Sequence, residues 1–189
     1  MFTIKKHVWL MALLFGTTAA ITLIPPVQAA KSSTAYKIDR DAKSSLNKLL
    51  QSNKDARNLK KNAAAILVFP SILKAGFIIG AQGGNGALLK NGKTTGYYNT
   101  FAASYGFQAG IQGFGYALSF MDKDSLSYLD KSGEFELGVG PSLVIVDAGF
   151  GKNVTSTTLR KGIYAFVFDQ KGIMAGVGLQ GTKVTKINP

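Results

Sequence analysis

From Thr34 to Asn62 apolar residues recur at spacings of three and four. Ile38, Ala42, Leu46, Leu49 and Leu50 fall on one side of a helix, with Lys37, Arg40 and Lys48 on the other. The pattern predicts an amphipathic helix, then a polar break at Gln51-Ser52-Asn53 that offers an N-cap. A shorter helix from about Lys54 to Asn62 follows, turning Ala56, Leu59 and Ala63 to the core. After Asn62 the texture changes to β-branched and aromatic residues punctuated by glycine, which favours strands. Ala63 to Leu89, AAAILVFPSILKAGFIIGAQGGNGALL, is the longest apolar stretch outside the N-terminus and the expected centre of the core. Strands are predicted over 65–69, 76–82, 86–90, 94–98, 104–120, 135–139, 142–150, 163–169 and 173–180, with Pro70 and Pro141 read as single breaks. Asn91-Gly92 and Lys171-Gly172 read as hairpin turns, and a short helix is expected around Asp122 to Leu129, capped by Asp122 or Asp124.

The resulting fold class is α+β: N-terminal amphipathic helices packed on a mainly antiparallel, curved, glycine-rich β-sheet in a single domain. A phrase of the form Gly-apolar-x-x-Gly occurs at Gly76–Gly80, Gly106–Gly110 and Gly172–Gly176. On a strand, glycines four apart share one face and let a neighbouring chain pass close. A membrane-spanning helix over Ala63 to Ala81 is disfavoured by Pro70 and Lys74 in its middle. The irregular spacing of the three phrases argues against a solenoid.

The N-terminus reads as a targeting signal: Lys5 and Lys6, an apolar run from Val8 to Ile24, and Val27-Gln28-Ala29 as a small-residue cleavage pattern. Residues 1–29 are therefore expected to be a signal peptide, leaving 30–189 with a helical part over 30–62 and a mainly β part over 63–189. The expected localisation is periplasmic or otherwise exported, with peripheral membrane association. With Lys5 and Lys6 removed, 20 basic residues face 10 acidic ones, a net charge of +10. Such a chain is drawn to anionic surfaces, and outside the cytoplasm those are phospholipid headgroups and polysaccharides rather than nucleic acid.

Composition removes most chemistry. His7 and Trp9 are the single histidine and tryptophan and lie in the signal, and there is no cysteine. The remaining chain offers no imidazole base, no thiolate, no disulfide and no zinc site of the usual kind. Gly86 to Thr94 has five residues between its glycines where a P-loop has four. Gly176-Val-Gly178-Leu-Gln-Gly181 has no room after it for the helix that would receive a pyrophosphate, and Asp122 to Gly133 lacks the glycine and closing Glu of a calcium loop. Glu134 and Glu136 share a strand face instead of opposing each other, and Ser104 and Ser142 have no visible base. The expectation is a protein that is not an enzyme, with no cofactor and no metal.

The positive signal is the basic helical region. Lys37, Arg40, Lys43, Lys48, Lys54, Arg57, Lys60 and Lys61 stand against Asp39, Asp41 and Asp55, a net charge of +5. At about 1 kcal/mol per basic charge near an anionic bilayer, that supplies up to roughly 5 kcal/mol before screening. These eight residues are the expected lipid-binding site, with Lys152, Arg160 and Lys161 as the alternative patch. A solvated polar face is the bland account of the same residues.

Several phrases together resemble the SYLF domain, in its bacterial exported branch. They are Ala65-Ile-Leu-Val-Phe-Pro70-Ser71, Lys74-Ala-Gly76-Phe77, Gly80-Ala-Gln-Gly-Gly-Asn-Gly86, Tyr105-Gly106-Phe-Gln108-Ala-Gly110, Gly138-Val-Gly140-Pro141, and Tyr164 with Lys171-Gly172-Ile-Met-Ala-Gly176. The resemblance covers about Tyr36 to Ile187. It implies a lipid-binding domain: eukaryotic members bind phosphoinositide-bearing membranes, yeast relatives bind actin filaments, and an N-terminal amphipathic basic segment makes the membrane contact. That segment maps onto Lys37, Arg40, Lys43 and Lys48. The function expected is non-catalytic binding of anionic phospholipid or membrane surfaces, with anionic headgroups as partner and no nucleic acid. The alternative is a structural or protein-interaction module of the cell envelope with a protein partner, actin binding resting on family analogy alone.

Overall fold

A computed structural model of the chain describes residues 32–131, 134–146, 161–172, 179 and 181–189. The expected signal over 1–29, the strand over 173–180 apart from Leu179, the end of the strand over 142–150, and Lys152 and Arg160 lie outside the described residues. Helix α1 covers Ser33–Ser52, started by Ser32, whose hydroxyl accepts from the Ala35 N–H at 3.0 Å. Asn53 ends α1 and caps α2 (Lys54–Lys60), its side chain accepting from Ala56 N–H at 2.9 Å. Arg57 closes the same joint, donating to the carbonyl oxygens of Leu50 and Gln51 at 2.7 and 2.9 Å, which occupies two acceptors that the end of α1 leaves open.

Two long strands follow, β1 (Ala65–Lys90) and β2 (Lys93–Phe120), joined at Asn91-Gly92, where φ is +50° and +77° as a tight hairpin requires. Helix α3 (Lys123–Lys131) and the short strands β3 (Glu134–Glu136) and β4 (Leu143–Ile145) come next, then β5 (Ile163–Gly172) and β6 (Lys183–Ile187). β2 is the axis of the sheet. β1 pairs along its whole length, while its other edge holds β6 against Tyr97–Phe101 and β5 against Gln112–Phe120. β3 extends the sheet beyond β6, and β4 runs parallel to β5. The architecture is α+β in one domain with a curled sheet, and the sheet is mixed rather than antiparallel throughout.

The division into short strands is corrected in four places. Segments 65–69, 76–82 and 86–90 are one strand, and 94–98 and 104–120 are another. Pro70 does not end a strand: it sits where the register shifts between Phe69 and Ile72, a bulge that needs no N–H from it. Lys171-Gly172 is not a turn but the end of β5, paired with Gly113 and Gln112. The segment over 135–139 shortens to Glu134–Glu136, and β6 was not anticipated.

Curling brings the two arms of β1 face to face. A Cβ on Gly84 would lie 2.4 Å from the Ser71 carbonyl oxygen, and one on Gly86 2.4 Å from that of Val68, so only glycine fits at either position. The base of the sheet is buried on both faces, which is why Ala65–Phe69 is a continuous apolar run. Leu67, Phe69, Tyr116, Leu118, Phe120 and Ile163 pack on the face that holds α3. Ile66, Val68, Ala117, Tyr164 and Phe166 pack on the other, under Ile38, Ala42, Leu46 and Leu49 of α1 and Leu59 of α2.

Candidate functional site

Because α1 spends its apolar stripe on the sheet, its charged residues emerge along two flanks and the outer ridge. On one flank Thr34, Lys37, Asp41, Ser45 and Lys48 border a cleft of about 490 Å³, whose far wall is Pro70, Ser71, Asn85 and Asp169. On the other flank Lys43 and Asn47, with Lys60 of α2, border a second cleft of about 400 Å³ beside Leu89, Asn91 and Gly92. The eight cations expected to form the site are thus not gathered into one pocket. Lys37 and Lys48 reach the first cleft, Lys43 and Lys60 the second, and Arg40, Lys54, Arg57 and Lys61 stand exposed outside both.

Three of the α1 cations are already engaged. Lys37 and Arg40 both hold Asp41, at 3.0 and 2.9 Å, and Lys43 holds Asp39 at 2.9 Å. The Lys37 hydrogen bond, against a smaller opposing effect of burial and with help from Arg40, keeps the Asp41 carboxyl below the usual carboxylate range. Asp39 also accepts from the Thr94 hydroxyl, which ties α1 to the start of β2. Pairs as exposed as Lys37–Asp41 and Arg40–Asp41 contribute about 0–1 kcal/mol each and rearrange readily, so Lys37 and Arg40 remain available to an incoming anion. The first cleft sets Lys37 and Lys48 against Asp41 and Asp169, so it carries no formal excess of positive charge. It is lined by hydroxyls and an amide instead, and its Ser71, Asn85 and Asp169 were not anticipated, since nothing in the sequence brings β1 and β5 to the flank of α1. The positive charge is spread as a belt, a geometry that suits a surface better than a single bound ion.

The alternative patch is represented by Lys161, exposed at a third cleft of about 360 Å³ with Asp122, Asp124, Tyr128, Pro141 and Ser142. Asp122 there has a structural duty. It accepts from Ser125 N–H at 2.7 Å, Ser125 hydroxyl at 2.8 Å and Gly162 N–H at 2.8 Å, capping α3 and tying it to the start of β5. Burial raises its carboxyl pKa, but these hydrogen bonds outweigh burial and hold it below the usual range. Among the described residues no group of three or more acidic, histidine or cysteine side chains is placed to hold a metal, and no helix is long and apolar enough to cross a membrane.

Residues 101–188 match the family model for Ysc84, described as Las17-binding protein actin regulator, which agrees with the SYLF resemblance read from the sequence. The match takes in most of β2 and all the strands after it, so the family signature lies in the sheet and not in the basic helices. No curated protein sequence matches the chain. The family is one of binding domains and points to lipid- or actin-related binding in general.

Proposed function

We propose that the chain is a non-catalytic module that binds anionic phospholipid surfaces outside the cytoplasm, residues 1–29 serving as a signal that is removed. The observation that carries this reading is the belt of Lys37, Arg40, Lys43, Lys48, Lys54, Arg57, Lys60 and Lys61 on a helical layer whose apolar side is committed to the core. Helix insertion into lipid would strip α1 from Ile66 and Val68, so α1 docks by its charges and stays folded on the sheet. The ligand class is an anionic headgroup array, not one stereospecific ligand, because the cations do not converge.

Sedimentation with vesicles of phosphatidylglycerol mixed into phosphatidylcholine, against phosphatidylcholine alone, tests the proposal. Binding is expected to anionic vesicles and to weaken steeply with salt. Reversing Lys37, Arg40, Lys43 and Lys48 together to glutamate should abolish the anionic preference, with circular dichroism confirming that the helices persist. Equal binding to both vesicle types overturns the reading. A saturable envelope protein partner with no affinity for lipid would favour the interaction-module alternative.

A further inference from the structure

The middle of the long hairpin inverts the rule followed at its base. From Ser71 to Gln82 the odd-numbered residues are exposed, while Ile72, Lys74, Gly80 and Gln82 are buried. The outward face is the apolar one: Leu73 is 60% exposed, Phe77 75% and Ile79 66%, joined from β2 by Ile111 at 63% and Phe101 at 52%. The inward face instead buries the polar side chains of Lys74, Gln82 and Gln112. Six of the ten large apolar side chains that stand exposed among the described residues lie on these two strands. A water-facing sheet alternates the other way, and an apolar-out, polar-in alternation is how strands meet lipid.

The shape agrees with the pattern. A Cβ on Gly76 would lie 2.4 Å from the Cα of Gly80, so β1 bends sharply between them and carries Phe77, Ile78 and Ile79 on the outside of the bend. Ile78 is held at φ +64°, a strained state for a β-branched residue, and it too is exposed. One residue of β1 there faces three of β2, since Phe77 pairs with Ala109 and Ile79 with Tyr105. Apart from Lys90 and Lys93 at the hairpin turn, no charged residue occurs between Lys74 and Asp122. The bend lies six residues beyond Ser71, which lines the Lys37–Lys48 cleft, so at most about 20 Å of strand separates them.

We propose that this bend is a membrane-insertion element: Leu73, Phe77, Ile78 and Ile79, with Ile111 beside them, enter the interfacial and upper acyl region of an anionic bilayer while the basic belt holds the headgroups. The inference rests on the lipid-surface reading and adds a second, apolar contact to it. Insertion is shallow, because the bend, two-stranded among the described residues, carries backbone groups that the hydrocarbon centre does not tolerate. A convex apolar corner in an uncharged surround, on a segment 30–189 of net charge +10, matches a bilayer better than a protein groove.

The test compares the wild-type chain with the double variant Phe77→Ser/Ile79→Ser on vesicles of phosphatidylglycerol and phosphatidylcholine. Both side chains are exposed, so thermal melts should coincide. At high salt, where the charge contribution is screened, the variant should bind at least about tenfold more weakly, having lost two inserted side chains. With residues 1–29 removed the protein holds no tryptophan, so the indole introduced by Phe77→Trp is the sole one and should shift to the blue on vesicles and be quenched by lipids brominated on their acyl chains. Undiminished high-salt binding of the double variant, or an unquenched indole on vesicle-bound protein, overturns this proposal and leaves the lipid-surface reading intact. A wild-type oligomer that the double variant dissociates, seen by sedimentation velocity, assigns the face to a second copy and overturns it as well. Wild-type protein that ignores anionic vesicles sinks the broader reading and this one with it.

Discussion

Single residues carry two joints of this fold, and each makes a measurable prediction. Asp122 accepts three hydrogen bonds that fix the start of α3 to the start of β5. Asp122→Ala removes a cap and leaves the Gly162 N–H without its acceptor, at a cost of about 1–3 kcal/mol in urea unfolding. Because the folded-state pKa is lowered from 3.8, the contribution is present in full above that value and is lost as pH falls through the folded pKa. The wild type should therefore lose stability toward about pH 3 more steeply than Asp122→Asn, and parallel curves would remove the linkage. Gly86 makes the complementary case. An alanine there meets the Val68 carbonyl oxygen at 2.4 Å and the Phe69 ring at 2.6 Å, and backbone cannot move aside as a side-chain tip can. Gly86→Ala should cost about 1–3 kcal/mol, and an unchanged melting temperature would show that the two arms of β1 are not held so closely.

At the scale of elements, the periodicity that predicts a helix also says which side is buried, and Ile38, Ala42, Leu46 and Leu49 are all 7% exposed or less. Leu46→Ala should destabilise the fold by about 2–5 kcal/mol in chemical unfolding, whereas truncating a cation of the outer ridge such as Arg40 should change it by less than about 1 kcal/mol. If both were neutral, α1 would not be docked. The sheet was less legible than the helices, for physical reasons that differ by residue. Pro70 is a strand-breaker by its missing N–H, but at a bulge no partner awaits that N–H, so the strand continues. Gly83 and Gly84 fall between two predicted strands, yet Gly84, like Gly86, is glycine because another arm of the same strand passes against it, which is a tertiary fact. The short pairings of β3 and β4 are three residues each, too little sequence to show a period. The candidate cations were legible as charge and illegible as a site. Composition names Lys37 and Lys43, but only their helical angle on a docked α1 sends them to opposite flanks. The apolar bend was visible as Phe77-Ile78-Ile79 and was assigned to the core, because apolarity alone does not tell an inward face from an outward one.

At the scale of the whole molecule, the distribution of titratable groups sets how attachment should respond to conditions. The one histidine of the chain is His7, inside the segment proposed to be removed, and there is no cysteine. Over residues 30–189 the titratable side chains are carboxylates, lysines, arginines and tyrosines. Burial pushes the Tyr164 and Tyr116 hydroxyls further up from an already high value. Residues 30–189 contain no histidine and no cysteine, the side chains whose ordinary values lie nearest neutrality. Binding of the 30–189 protein to phosphatidylglycerol vesicles should accordingly stay within about twofold between about pH 5.5 and 8.5, while a change of salt from about 0.05 to 0.5 M weakens it by far more. A phosphomonoester lipid gains a second negative charge near about pH 6–7, so the same protein should bind it more tightly as pH rises. A pH step on phosphatidylglycerol would contradict the charge distribution as read, since that lipid's phosphodiester does not titrate there and residues 30–189 hold no histidine or cysteine. A step confined to the phosphomonoester would place the titrating proton on the lipid.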